Sequence, residues 1–311
     1  MRINDLLDQI REICNHPWKR EVLFQDRTRW QRLWSSMDVI ADAQSAIDEY
    51  NSLTDCGYQG GGYLHIYGLL QALFIQQDAV SNLNKALFDQ KIDFKGEYPS
   101  LFRIREQRND SIGHPTNRGN GRSFHGINRS SMSKRSMKLM SFDSKPISKV
   151  NIAVINLMEN ILMQETDVNK ILTMVLAKIQ EELNTHKAKF RGNTLSKLFT
   201  DELGFEISKL YQGVGQDHEL IELVELNFKS IRNTYEKIKD GLTHRYCSVE
   251  ALPGVKNVTD LLDYIFIRLN TNLLTDKTND DYELLVFIDA LKHNINLLKN
   301  MVIEIDQEFD E

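Results

Sequence analysis

The stretch that most constrains this chain is YLHIYGLLQALFIQQDAVSNLNKAL, Tyr63 to Leu87, which is apolar nearly all round. A helix without a polar face belongs at the centre of a bundle or in an oligomer interface, because no side of it is suited to water. Gly68 inside it costs about 1 kcal/mol relative to alanine unless it allows close helix packing. The rest of the chain agrees with a helical setting. Its 311 residues contain only 5 prolines and 16 glycines, and 41% of them are hydrophobic. That length is enough for one large domain or two modest ones with real cores. The expected fold class is all-α: a helical bundle with a small basic β-hairpin or loop insertion, followed by a C-terminal helical region.

In chain order, residues 2 to about 14 place Ile3, Leu6, Leu7, Ile10 and Ile13 on one helical face. A second helix follows Pro17 and runs, with room for a break, to Tyr50. Trp30, Leu33, Trp34, Met37, Ile40 and Ala41 form its stripe, and its aromatic residues read as core. Gly60 to Gly62 lead into the apolar helix. No GK[ST] follows them and no strand precedes them, so they read as a helix-entry loop and not a P-loop. His65, in the first turns of that helix, reads as packed. The connector KIDFKGEYPS is long enough to reverse the chain into a further helix, Tyr98 to Ile112.

From Arg118 to Phe142 helical periodicity is lost. Serines, glycines and weak alternation there suggest a basic hairpin or mobile loop, with Ser123–Asn128 and Met137–Phe142 as its strands, and Phe124 and His125 near the motif helix. Helix resumes from about Ser148 to Lys189, with Val168, Ile171, Leu172, Val175, Ile179 and Leu183 as its stripe. Phe190-Arg191-Gly192-Asn193 reads as the boundary between residues 1–190 and 191–311. The C-terminal region shows two strong stripes, one through Leu220, Leu223, Val224, Phe228, Ile231, Tyr235 and Ile238. The other, in near-heptad spacing, runs from Leu284 to Ile305. It carries no recognisable chemistry and reads as an interaction, dimerisation or sensing module.

The net charge of −6 conceals a polarised chain. Leu101 to Lys149 holds 11 Lys/Arg against 3 Asp/Glu, a local net of +8, while the remainder carries 27 against 41, a net of −14. One basic segment in an acidic chain suggests a local polyanion site. A solvated hairpin pairing with acidic helices of the same chain accounts for it equally well. On the first reading Arg118, Arg122, Arg129, Lys134, Arg135 and Lys138 are the phosphate contacts. Cys14, Cys56 and Cys247 are odd in number and far apart, which suggests neither a disulfide framework nor a zinc site. The eight histidines form no metal-ligand cluster, and neither a metal nor a cofactor is expected. The start, MRINDLLDQIREI, has charges throughout and does not read as a signal peptide, and no apolar run approaches the roughly 20 residues of a membrane span. The expected location is cytoplasmic.

The basic segment begins at Arg108-Asn109-Asp110-Ser111-Ile112-Gly113-His114-Pro115. Positions six apart on a continuous helix face different ways. Glycine suits a left-handed helix end, and the residue before a proline avoids the α region. The chain is therefore expected to leave the helix at Gly113 and let His114 fold back beside Arg108. This stretch resembles the R-x(4–6)-H motif of the HEPN superfamily, in which the arginine is often followed by Asn, Asp or His, as Asn109 follows here. The same bare pattern recurs as Arg11-x4-His16 and Arg118-x6-His125; the context of a helix end after a long apolar helix distinguishes the central one.

The resemblance implies a metal-independent ribonuclease of the toxin or abortive-infection kind. In such an enzyme the 2′-hydroxyl attacks its own phosphate, His114 moves protons, Arg108 holds the phosphate, and Asn109 and Asp110 orient them. In-line transesterification needs two opposed proton-transfer groups, so the resemblance further implies a homodimer with a composite cleft. RNA is then the substrate, with an antitoxin or defence-system protein as a possible further partner. A non-catalytic HEPN-like protein binding nucleotide or RNA, and a purely structural helical adaptor, are the competing readings.

Overall fold

Helices account for most of the described chain, with one small antiparallel sheet. The computed structural model describes residues 2–24, 26–54, 62–118, 123–143, 150–214, 221–274 and 281–310. Its helices are α1 (Ile3–Asn15), α2 (Pro17–Leu23), α3 (Arg27–Ser52), α4 (Gly62–Phe88), the single turn α5 (Phe94–Glu97) and α6 (Pro99–Arg108). The strands β1 (Ser123–Ile127), β2 (Ser136–Asp143) and β3 (Asn151–Asn156) follow, then α7 (Leu157–Ala188), α8 (Asp201–Gln212), α9 (Ile221–Tyr246), α10 (Pro253–Leu274) and α11 (Asp281–Asp310). Among the described residues no helix is long and apolar enough to cross a membrane.

The chain divides into two compact units: Met1–Ile13 with Phe24–Gln180, and Cys14–Leu23 with Glu181–Glu311. The boundary expected at Phe190–Asn193 thus moves into α7, and a segment of the N-terminal region belongs to the second unit. The reason is Trp18. Buried in the second unit, its ring meets Tyr246 edge-on at 5.5 Å and lies 6.0 Å from Phe309.

In the first unit α4 occupies the centre that its composition demands. Ile66, Leu69, Leu70, Leu73, Val80 and Leu83 are buried in it. It runs antiparallel to α3, since Arg29 donates to the carbonyls of Ala86 and Leu87 while Gln76 meets Gln44. α6 is also antiparallel to α4: Asp78 pairs with Arg105 and Gln71 with Arg108. The interior of this bundle holds a chain of glutamines. Gln76 Nε2 donates to Gln44 Oε1 (2.9 Å), Gln164 Nε2 to Gln76 Oε1 (3.0 Å) and to the Leu73 carbonyl (2.8 Å), and Gln77 Nε2 to Gln164 Oε1 (2.7 Å). Removing one member would leave buried partners unsatisfied, at about 1–3 kcal/mol each. The chain therefore fixes the register of α3, α4 and α7.

The sheet has the order β1-β2-β3, with both pairs antiparallel. The first two strands fall where the alternation places them. The third replaces what reads as helix: Asn151–Asn156 pairs with β2, and α7 begins only at Leu157. Met137, Leu139 and Ile155 supply the sheet's buried side chains. The loop before β2 is tied to the end of α3, where Lys134 Nζ donates to the carbonyls of Asn51 (2.9 Å) and Leu53. A cation there satisfies the orphan carbonyls of a helix C-terminus.

In the second unit most of the two stripes is buried, Phe228, Ile231, Tyr235 and Ile238 in α9 and Leu284, Leu291, Ile295, Leu298 and Val302 in α11, whereas Leu223 is exposed, Ile305 is half-buried and Leu220 lies outside the described residues. A buried ion pair joins the two helices. Arg245 Nη1 donates to Asp306 Oδ1 at 2.7 Å, the two side chains being 1% and 7% exposed.

Candidate functional site

The motif helix ends in a way that α-helical geometry does not anticipate. After Arg108 the chain enters a π turn, Asn109–Gly113, and the His114 amide donates to the Asn109 carbonyl at 2.8 Å, five residues back. Single π turns inside α-helices occur frequently at functional sites. His114, at φ −139° and ψ 48°, is the residue that leaves the α region, in accord with the proline that follows it. Gly113 does not take the left-handed conformation expected of it, since Gly192 alone has a positive φ among the described glycines. Its small size has a different use: a Cβ built on Gly113 would stand 2.5 Å from Arg108 Nη1. The guanidinium of Arg108 therefore lies directly on the glycine that precedes His114.

Three neutral groups hold that guanidinium. Nε and Nη2 both donate to Gln71 Oε1, at 3.2 and 2.7 Å, Nη1 donates to Asn109 Oδ1 at 3.2 Å, and the guanidinium carbon stands 4.3 Å from the centre of the Phe74 ring. No salt bridge to a carboxylate is formed by Arg108 among the described residues. An arginine carries five N–H donors, so two remain for a ligand. His114 is exposed. Asn109 is thus one of the groups that contact Arg108. The supports from α4, Gln71 and Phe74, lie outside the motif, and only Gln71 had a sequence signal, as a polar residue in an otherwise apolar run.

Asp110 serves a second cluster. Its Oδ1 accepts from Arg118 Nε at 2.6 Å, and Glu106 Oε2 accepts from Arg118 Nη2 at 2.5 Å. These two carboxylates raise the pKa of Arg118 further above its ordinary range. His125 Nε2 lies 3.9 Å from the same Asp110 oxygen. The imidazole is almost buried, with the hydroxyls of Ser141 (3.0 Å) and Ser123 (3.2 Å) at its two nitrogens. The His125 amide donates to the Pro115 carbonyl at 2.7 Å, which fastens β1 alongside the motif. Arg118 and His125, which match the bare R-x(4–6)-H pattern, are therefore brought together with the central motif, though as structural partners of Asp110.

Arg11 and His16 belong to different units. Arg11 pairs with Asp8 and Asp38, each at 3.2 Å, and His16 stands edge-on to Trp18 in the second unit, its pKa lowered first by burial.

The six expected phosphate contacts separate by environment. Arg118 is engaged by two carboxylates and Lys134 by two carbonyls, so both are committed to groups of their own chain. Arg129, Arg135 and Lys138 are exposed, with Arg129 5.8 Å from the ring of Tyr63. Arg122, Gly60 and Gly61 lie outside the described residues. Among the described residues no group of three His, Cys, Asp or Glu side chains is placed to hold a metal. No family model, curated protein or solved structure matches this chain.

Proposed function

We propose that this chain is a metal-independent endoribonuclease of the HEPN type, cutting RNA by attack of the 2′-hydroxyl on the adjacent phosphate. The observation that carries the proposal is the treatment of Arg108. It is held in place by an amide, a second amide and an aromatic ring, forms no salt bridge among the described residues, and lies against Gly113, the residue before the exposed His114. Neutral acceptors fix the fork without cancelling its charge, so it stays available to a phosphate and to the charge that develops on the phosphorane. His114 takes the proton work, for which an imidazole with a reference pKa of about 6.5 is suited.

The second proton-transfer group comes from another copy of the chain. His125, whose strand is fastened alongside the motif, presents its ring nitrogens to serines and is nearly buried. A homodimer with a composite cleft therefore remains part of the proposal, as does growth arrest of the toxin or abortive-infection kind, with an antitoxin or defence-system protein as partner. A non-catalytic nucleotide- or RNA-binding protein, or a helical scaffold, is the second reading. The contacts of Arg108 to Gln71 and Asn109, which complete a helix end without any ligand, favour it.

Cleavage of labelled RNA separates the two. Wild type is expected to cut in the presence of EDTA and to leave 2′,3′-cyclic phosphate ends, and His114→Ala to be inactive. Mixing His114→Ala with wild type should lower activity more steeply than dilution. Cleavage that survives His114→Ala, or that requires added metal, leaves the scaffold reading in place.

A further inference from the structure

The outward face of the sheet has no role in the site described so far. Side chains alternate along a strand, so the buried Met137 and Leu139, with Ser141, define one face of β2, and Lys138, Met140 and Phe142 define the other. His125 bonds Ser141 on the inner face, which puts Phe124 on the outer one, in register with Phe142. Directly opposed residues of an antiparallel pair have Cβ atoms about 4.5–5.5 Å apart. Phe124 is 39% exposed, and Ile152 and Val154, which pair with Met140 and Lys138, are 59% and 65% exposed. Lys138 is exposed, and none of the outward residues of the three strands is acidic, although the chain as a whole is.

We infer that this face is a platform for single-stranded RNA, on which bases stack against Phe124 and Phe142 while Lys138 meets the backbone. The inference rests on the ribonuclease reading for its substrate class. Aromatic side chains with an adjacent cation suit unpaired bases, whose faces are free, and not a duplex, whose faces are stacked. The charge of the face suits a polyanion. Its position suits this site in particular: the hydrogen bond from the His125 amide to the Pro115 carbonyl places Phe124 and His114 each one residue from the same main-chain contact. A strand whose base rests on Phe124 is thereby led to the exposed imidazole.

The test measures binding of a fluorescein-labelled single-stranded oligouridylate, and of an RNA duplex of equal length, to the full chain carrying His114→Ala so that neither probe is cut. Phe124→Ala and Phe142→Ala are each expected to weaken single-strand binding about 5-fold or more, the effect of losing one stacked base, with duplex binding unchanged. Phe124→Trp should retain the affinity, which separates stacking from misfolding. Unchanged single-strand affinity in the alanine variants overturns the inference. So does an affinity loss accompanied by a change of oligomeric state in sedimentation, which assigns the face to a second copy of the chain. If wild type binds the single strand through these rings but never cleaves it, the platform stands and the ribonuclease reading fails.

Discussion

Arg108 and Arg245 both stand in the last turn of a helix, where a cation is favoured by the helix dipole, yet the two units treat them in opposite ways. Arg245 is buried against Asp306, donates to the Asn193 carbonyl, and stands 5.1 Å from the Phe309 ring. Asp306 in turn accepts from the amides of Leu195 and Ser196 at 3.1 and 2.8 Å. Every element there cancels or encloses charge. Among the described residues Arg108 meets amides and a ring and forms no salt bridge. The difference teaches a way to read a fixed arginine: a carboxylate partner makes it structural, whereas neutral acceptors hold it still and leave its field for something else.

The largest effects should split along this line. Arg108→Ala and His114→Ala are expected to lower RNA cleavage by about 10²–10⁴-fold or more, the usual range for lost acid–base and charge-stabilising groups. Neither should change unfolding stability by more than about 1 kcal/mol, since each removes only partly exposed contacts. Arg245→Ala should do the reverse, because breaking a buried pair leaves an uncompensated charge and costs about 3–5 kcal/mol. Urea unfolding and a cleavage assay on the same preparations check both. An Arg108→Ala protein destabilised as much as Arg245→Ala would erase the comparison.

Smaller changes can convert one arginine into the likeness of the other. Gln71→Glu puts a carboxylate where the amide oxygen now receives Arg108, and should reduce cleavage roughly 10-fold while altering stability by less than about 1 kcal/mol, as part-exposed ion pairs do. Gly113→Ala tests the position of the fork. The backbone there tolerates alanine, but its Cβ would collide with Arg108 Nη1. Cleavage should fall by a similar factor while the protein remains folded, because sub-ångström placement of a catalytic group matters more to rate than to stability. Full activity in Gly113→Ala would show that the fork is not held where catalysis needs it.

The pattern of what could be read in advance follows from locality. The stripes of α3, α7, α9 and α11 declare most of their buried faces, though Trp30, Trp34 and Ala41 are only half-buried and Leu223 is exposed, and β1 and β2 show alternation. β3 does not: Ile152 to Ile155 is an unbroken apolar run, and only pairing with β2 makes it a strand. Within the site, the contact of Asn109 with Arg108 joins adjacent residues and was legible. Gln71 is 37 residues away, and the π turn differs from an α turn by the span of one hydrogen bond. The count of basic residues was legible too, but not their partners. Arg118 and Lys134 look identical to Lys138 in a charge tally, yet the first two are committed to Glu106, Asp110 and the end of α3.

The smallest expected effect concerns acid. Burial raises the pKa of Asp306, and the hydrogen bonds from Ser196, Arg245 and Leu195 outweigh that, so its carboxyl sits below the ordinary value of 3.8. A carboxyl whose folded pKa is depressed contributes stability that is fully present above its unfolded pKa, about pH 4, and is lost as pH falls through the folded value. The stability gap between wild type and Asp306→Asn should therefore be constant from neutral pH down to about pH 5 and narrow below about pH 4. Arg108 offers the control, since the amides of Gln71 and Asn109 bind no proton in that range. The gap between wild type and Arg108→Ala, however small, should hold its size through the same acid limb. Denaturant titrations of the three proteins at neutral and acidic pH measure both gaps. A gap for Asp306→Asn that persisted below pH 4 would mean that its carboxylate is not what stabilises Arg245, and the contrast between the two arginines would then rest on burial alone.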